Sequence, residues 1–298
     1  MHSTFPLLLL LPLMKTARFP VYTQISSEPI TIYKYLDARV FDYPFFNDGV
    51  VHRDTQLQCH PTSEEDRQVL QLSGFIFHTA HCGSTLLSRM LSASPRVRSI
   101  SESEAINGLL LTSVFYDISE DEIVARLKKI VADYLQKLET EEYAIFKLTS
   151  WNAFFLPLFQ KAFPTIPWMY IDRETDAVVQ TLFEKGHGFT EWWDHGSDIL
   201  RRKFIPQVES PSSKYDFIQK MVEIKRAAIT TAKNEQTLIV KYPDFLARGV
   251  FEKTILPYFG ITFSKEELEQ SFDLMRYDSK SLEKELYVKG THNRSSST

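Results

Sequence analysis

The chain is poor in cysteine and glycine and has no large excess of charge of either sign. Only two cysteines, Cys59 and Cys82, occur in 298 residues. Two thiols cannot build a disulfide framework, and no C-x-x-C pair is present to hold a structural zinc. That usage suits a reducing, cytoplasmic compartment and predicts no metal. Lys and Arg number 34 against 38 Asp and Glu, a net charge of −4. A general polyanion binder would carry a basic stripe, so nucleic acid is not an expected partner. Ten glycines and fourteen prolines exclude a collagen-like or low-complexity chain. The apolar run Phe5 to Met14, broken by Pro6 and Pro12, is too short to cross a bilayer. Its positive charges, Lys15 and Arg18, follow the run rather than precede it, and no Ala-x-Ala site comes after. There is thus no firm membrane signal; the run reads as a disordered start or a segment packed on the domain, with a signal sequence as the open alternative.

What the chain has in quantity is aromatic surface: 13% of residues, 22 of them Phe. Either a thick core or an aromatic-lined cleft would use it. A chain of this length buries about three-quarters of its unfolded surface and needs no covalent staple. Residues 1–66 are mixed in pattern and read as an N-terminal extension packed on the domain. Residues 67–298 read as one globular unit without repeats or Gly/Ser linkers. Within that unit Gly74–Thr79, Tyr143–Leu148, Trp168–Ile171 and Thr237–Lys241 are short apolar runs of the buried-strand kind. Helical spacing follows or separates them, as in Glu120–Leu138, Ala153–Phe163, Asp176–Phe183, Lys214–Lys233 and Pro243–Phe259. The alternation predicts an α/β fold: three α/β/α layers around a mainly parallel central sheet of the P-loop nucleotide-binding type.

Such sheets bind ligands beyond the carboxyl ends of their strands. Two of these ends carry chemistry. The first is His78-Thr-Ala-His-Cys-Gly-Ser-Thr85, between a strand and a helix. A Gly flanked by small residues at a helix start exposes backbone N–H groups that hold a phosphate. A nucleotide kinase needs G-x-x-x-x-G-K-[ST], and no Lys follows Gly83. A plain turn capped by Ser84 is the alternative. The second end is Asp172-Arg-Glu-Thr175, with Thr181 eight residues after Arg173. Two helical turns return Thr181 to the side of Arg173, so an Arg fork and a hydroxyl can share a second phosphate.

Together these motifs resemble the sulfotransferase family, which uses 3′-phosphoadenosine 5′-phosphosulfate as sulfuryl donor. Ala80-His-Cys-Gly-Ser-Thr85 is similar to the family's 5′-phosphosulfate loop, P-[KR]-x-G-[ST]-[ST]. Arg173 and Thr181 resemble its 3′-phosphate Arg and Ser. Val240-Lys-Tyr-Pro-Asp-Phe245 resembles the strand end whose Tyr, here Tyr242, lies near adenine. The likeness spans about residues 74–260 and is nearest to protein-tyrosine sulfotransferases and bacterial relatives. It implies a nucleotide held by His81, Cys82, Gly83, Ser84, Thr85, Arg173, Thr181 and Tyr242, and a hydroxyl or amine acceptor on a small molecule or peptide.

The resemblance also implies a catalytic Glu about twenty residues after the loop. Glu102 lies 21 residues after His81, and Glu104 is the alternate. Either could instead simply favour the start of the next helix. Lys147, at a strand end, matches a family Lys that stabilises charge near the sulfuryl group. His81 departs from the pattern, because the family places Lys or Arg there. A His can donate a hydrogen bond, and its charge changes near pH ~6.5. It substitutes for the basic residue or marks a weak member. Cys82, in the loop, reads as packing rather than as a reactive thiol. His78, His81, His187 and His195 read as unrelated histidines rather than metal ligands. Trp192 and Trp193 suit either an acceptor wall or the core. Tyr287–Gly290 only faintly resembles the family's C-terminal basic loop. Two rival readings stay open: a degenerate P-loop nucleotide kinase, and a catalytically silent nucleotide-binding protein of the same fold.

Overall fold

The computed structural model describes residues 15–53, 60–61, 68–186, 188–205, 211–282 and 285–286. The apolar run at Phe5–Met14, Cys59, His187 and the segment Tyr287–Gly290 lie outside the described residues.

Strands β1 (Lys15–Thr23) and β2 (Thr31–Leu36) pair antiparallel, and a 3₁₀ turn (Ala38–Asp42) leads into α1 (Phe46–Arg53). A two-residue β3 (His60–Pro61) runs parallel to β1. Then β4 (Gln71–His78), α2 (Ser84–Leu91), β5 (Val97–Ser101), α3 (Glu104–Phe115) and α4 (Glu120–Tyr134) follow. Next come β6 (Tyr143–Lys147), a 3₁₀ turn (Ser150–Phe155), α5 (Leu156–Ala162), β7 (Trp168–Asp172), α6 (Thr175–Lys185), α7 (Ile199–Phe204), α8 (Lys214–Ala232) and β8 (Thr237–Lys241). The C-terminal part holds α9 (Arg248–Val250), which runs through a π turn (Phe251–Ile255) into α10 (Leu256–Tyr258), and then α11 (Lys265–Asp273).

The main sheet has five strands in the order β5-β6-β4-β7-β8, all parallel. Alternate side chains enter two separate cores, as the period of two requires. Phe75, Phe77, Ala144, Phe146, Trp168 and Tyr170 face one side. Ile76, Ile145, Met169 and Ile171 face the other. A strand buried on both faces reads as a continuous apolar run, which explains why the sequence marks these strands so clearly. The observed architecture is the expected three-layer α/β sandwich.

The aromatic residues are not spread evenly between the two cores. Phe75 meets Phe146 at 5.7 Å and Phe159 at 5.3 Å, and Phe77 meets Trp168 at 6.0 Å. Tyr134 extends this cluster to Phe146, Phe46 and Phe19. Tyr134 also donates its hydroxyl proton to the Pro20 carbonyl at 2.5 Å, tying β1 to α4. Gly108 sits where α3 crosses β1; a Cβ there would lie 2.1 Å from the Thr23 carbonyl oxygen. Thus a mid-helix glycine, which costs about 1 kcal/mol in propensity, permits the close approach.

Helix starts are set by local chemistry. Ser103, Ser119 and Ser213 accept from backbone N–H groups in the first turns of α3, α4 and α8. Ser264 and Glu267 form a reciprocal capping box on α11. After β4 the chain crosses to the β5 edge, and after β6 it crosses to the β7 side. The carboxyl ends of β4 and β6 therefore flank the point where the topology switches, the expected ligand crevice. Among the described residues no helix is long and apolar enough to cross a membrane.

Candidate functional site

The central strand β4 ends at His78, whose ring is buried and fully used. Its Nδ1 accepts from the Ala80 N–H at 3.2 Å, so Nε2 carries the proton and donates to the Leu148 carbonyl at 2.8 Å. Burial, with the charges of Lys147 and Lys225, holds the imidazole well below its ordinary pKa. His78 is thus a neutral splint between the loop and the end of β6, and both nitrogens are closed to a metal. The chain then turns left-handed. Among the described non-glycine residues, positive φ occurs at Ala80 (90°), His81 (47°) and Glu102 (54°). All three lie at this end of the sheet, and such conformations cost roughly 1–3 kcal/mol each.

The N-cap of α2 is Gly83, at φ 78°, and no side chain caps the helix. The plain-turn alternative needs Ser84 in that role. Ser84 is instead the first helical residue and is buried. With Gly83 at the N-cap no cap side chain covers the first turn of α2, although the buried Cys82 sulfur meets the Ser84 N–H; a helix start of this kind can hold an anion. A Cβ on Gly83 would meet the Phe245 ring at 3.0 Å and the Tyr242 ring at 3.1 Å. The ring of Tyr242 thus lies directly against the loop. Helix α2 is locked to the sheet by Ser88, whose hydroxyl shares hydrogen bonds with Ser99 (2.6 Å) and Ser101 (2.9 Å). Cys82 is fully buried, and burial pushes its thiol pKa up. The residue packs in the second core, as a non-reactive cysteine does.

The second motif comes to the same place. Arg173, just past β7, donates from Nη1 to the His81 carbonyl at 2.5 Å. Its guanidinium carbon stands 5.3 Å from the centre of the Tyr242 ring. The Tyr242 N–H donates to the Asp172 carbonyl at 2.8 Å. So three strand ends, distant in sequence, bring His81, Arg173 and Tyr242 into contact. Thr181, on α6, donates its hydroxyl proton to the Ala177 carbonyl at 2.6 Å within its own helix. Among the described residues no hydrogen bond joins it to Arg173.

Glu102 and Lys147 also meet. Lys147 is 1% exposed, and its ammonium bonds Glu102 Oε1. The Glu102 N–H donates to the Lys147 carbonyl at 2.8 Å, which continues the ladder between β5 and β6. Glu102 is 26% exposed, so the carboxylate is the reachable member of the pair. The Phe45 ring lies 5.1 Å from the Lys147 ammonium. Burial first, and then the Glu102 charge, pushes the Asp48 carboxyl up. Glu104 begins α3 and accepts from Asn107 at 3.3 Å, and burial raises its pKa. Asn107 in turn accepts from Asn152, which accepts from the Thr149 N–H, a buried polar chain behind the site.

No family model and no curated protein matches this chain. The chain is similar in structure to a sulfotransferase domain from the curacin biosynthetic pathway, with 13% identity over 70% of this chain and 79% of that one, and a TM-score of 0.43. It is also similar to a sulfotransferase from Mycobacterium avium (12% identity, 71% and 69% covered, TM-score 0.46). A sulfotransferase domain of the Synechococcus PCC 7002 olefin synthase gives 17% identity, 74% and 82% covered, and a TM-score of 0.40.

Two residues that sequence reasoning missed sit beneath this site, Lys225 and Arg226 of α8. Lys225 is fully buried and donates to the Thr79 carbonyl at 2.7 Å. Burial lowers its pKa to about 7. Arg226 bonds the Asp172 carboxylate at 2.7 Å and also reaches Thr175 and the Arg173 carbonyl. A signal existed. Lys225 falls on the same helical stripe as Ile218, Val222 and Ile229, where an apolar residue belongs.

The tryptophans divide. Trp192 is buried and stacks on Phe204 at 5.6 Å, with Trp151 at 5.7 Å, so it belongs to the core. Trp193 is half-buried beneath Arg201. Among the described residues no group of three or more His, Cys, Asp or Glu is placed to hold a metal. A cavity of about 680 Å³ opens at the other end of β5, lined by Arg89, Val97, Glu141 and Asp273 among others, away from the loop.

Proposed function

We propose that the chain is a sulfotransferase that moves a sulfuryl group from 3′-phosphoadenosine 5′-phosphosulfate to a hydroxyl or amine acceptor. The observation that carries the reading is the contact of Arg173 with the His81 carbonyl. It sets a cation for one phosphate beside an uncapped helix start for another, with the Tyr242 ring alongside both. A single phosphate would use only one of these elements. The donor set suits a nucleotide phosphorylated at both 3′ and 5′ positions: α2 and Ser84–Thr85 for the phosphosulfate, Arg173 with Thr181 for the 3′-phosphate, and Tyr242 for adenine.

The nucleotide supplies an activated sulfuryl group when bound. The protein's own residues do the rest. Glu102, the half-buried but reachable member of the pair, takes the proton of the acceptor as the acceptor atom bonds sulfur. The S–O bond to the phosphate breaks, and its electron pair stays on the leaving phosphate. That charge meets the helix start, His81 and the buried ammonium of Lys147. Lys147 also fixes the Glu102 carboxylate by its ion pair. Small molecules and exposed peptide side chains are the acceptors that fit this chemistry, and a reducing, cytoplasmic setting suits the free Cys82 thiol.

The test is donor turnover with the label in the sulfuryl group, against a panel of phenols, alcohols and amines. Transfer in the wild type should fall by about 10²–10⁴ in Glu102→Gln with nucleotide affinity retained. Equal transfer by both proteins removes Glu102 from the chemistry. The ion pair that occupies both Glu102 and Lys147 favours one second reading, a silent nucleotide-binding protein. Tight binding without turnover of the donor by any acceptor would establish it.

A further inference from the structure

Helix α8 reaches both anion-binding elements with two consecutive side chains. Lys225 supports the loop after β4, because Thr79 is the first residue past that strand. Arg226 supports the turn after β7. Its Nε and Nη2 donate to the Asp172 carboxylate at 2.9 and 2.7 Å, and its Nη groups reach Thr175 Oγ1 and the Arg173 carbonyl. Arg173 is thereby held on both sides in sequence.

The helix does not need either side chain in order to pack. Phe217, Ile218, Met221, Val222 and Ile229 already bury its apolar face. Lys225 forms no ion pair with a carboxylate among the described residues; the Phe189 ring, 5.1 Å from Nζ, closes one side of its pocket. A buried, unpaired ammonium costs stability that an apolar residue on this stripe would avoid. What the cost secures is a fixed link from α8 to the loop.

We propose that Lys225 and Arg226 are positioning residues that set the separation of the two phosphate sites. One rigid helix holds the loop after β4 and the Arg173 turn, so the site favours a nucleotide bearing phosphates at both positions over one bearing a single phosphate. The gain is that of two linked binding events on a preorganised frame. This inference rests on the nucleotide reading above.

Calorimetric titration with adenosine 3′,5′-bisphosphate, adenosine 5′-monophosphate and adenosine 3′-monophosphate tests it. Lys225→Met should lose about tenfold for the two ligands with a 5′-phosphate and hold wild-type affinity for the 3′-monophosphate. Arg226→Gln should show the reverse. Arg226→Lys, which keeps the charge but not the fork, gives the same pattern if Arg226→Gln does not fold. General loosening of the fold would weaken all three ligands alike. Uniform loss, or wild-type affinity in both variants, overturns the proposal. Wild-type protein that binds none of the three ligands removes the nucleotide reading itself, and the positioning role falls with it.

Discussion

The buried ammonium of Lys225 makes the stability of this protein depend on pH in a predictable direction. Lys225 is wholly enclosed, and burial depresses its pKa from 10.5 to about 7, with Cys82, Arg226 and Asp172 as the charged or titratable groups nearest to it. His78 feels its charge from β4. In the unfolded chain the lysine keeps its proton up to the ordinary value. In the folded chain it gives the proton up near neutrality. Between the two the unfolded state binds more protons, so unfolding free energy rises with pH, by at most about 1.4 kcal/mol per unit. Stability from this group is complete above the unfolded pKa and is lost as pH falls toward 7. Over about two units above pH ~7.5 the gain is on the order of 2–3 kcal/mol, or about 5 °C in Tm for a chain of this size. Other groups titrate in the same range, so the quantity to measure is a difference. Thermal unfolding of wild type and Lys225→Met at both ends of that window isolates the lysine. The wild type should gain on the variant by that amount. Parallel curves would refute the claim that this ammonium is desolvated.

Three further outcomes follow. Gly83→Ala meets both a left-handed backbone and the Phe245 ring at 3.0 Å, so it should lose about 1–2 kcal/mol in denaturant unfolding and weaken nucleotide binding. His78 is neutral when folded and takes a proton when unfolded below about pH 6.5, so stability should fall on acidification. His78→Phe should flatten that acid limb in a pH series of unfolding curves. His81→Arg restores the basic residue of the resembled loop and should retain or raise transfer rate; complete loss of transfer would remove His81 from its role at the leaving group.

The central strands were legible because they are buried on both faces. Tyr143–Leu148 and Trp168–Ile171 stand as apolar runs between turn signals, and the strands found there are Tyr143–Lys147 and Trp168–Asp172. β1 was not legible. Arg18 and Pro20 interrupt its pattern, and its pairing with β2 shifts register between Pro20 and Tyr22. The single helix expected over Ala153–Phe163 divides into a 3₁₀ turn and α5, because Asn152 accepts the Thr149 N–H and tightens the start, with Pro157 in the first turn of α5. The long helix expected from Pro243 begins instead at Arg248, after a separate turn at Asp244–Leu246. The Phe-rich composition, which fitted core or cleft, belongs largely to one core.

The site was legible where its residues are consecutive, as in the loop from His78 to Thr85. Pairings across strands, such as Glu102 with Lys147, were named as separate roles and are joined by the adjacency of β5 and β6. The role of α8 was hidden because Lys225 and Thr79 lie 146 residues apart. No local pattern encodes such a contact; only the misplaced charge on an apolar stripe hints at it.

The central claim is that the loop and Arg173 together hold an adenine nucleotide phosphorylated at 3′ and 5′. Titration of the metal-free wild type and of Arg173→Ala with adenosine 3′,5′-bisphosphate, beside ATP with Mg²⁺, tests this most directly. The account predicts that the bisphosphate binds without metal and more tightly than ATP, and that Arg173→Ala weakens it by about tenfold or more. A preference for ATP with Mg²⁺, or unchanged bisphosphate affinity in Arg173→Ala, would contradict it.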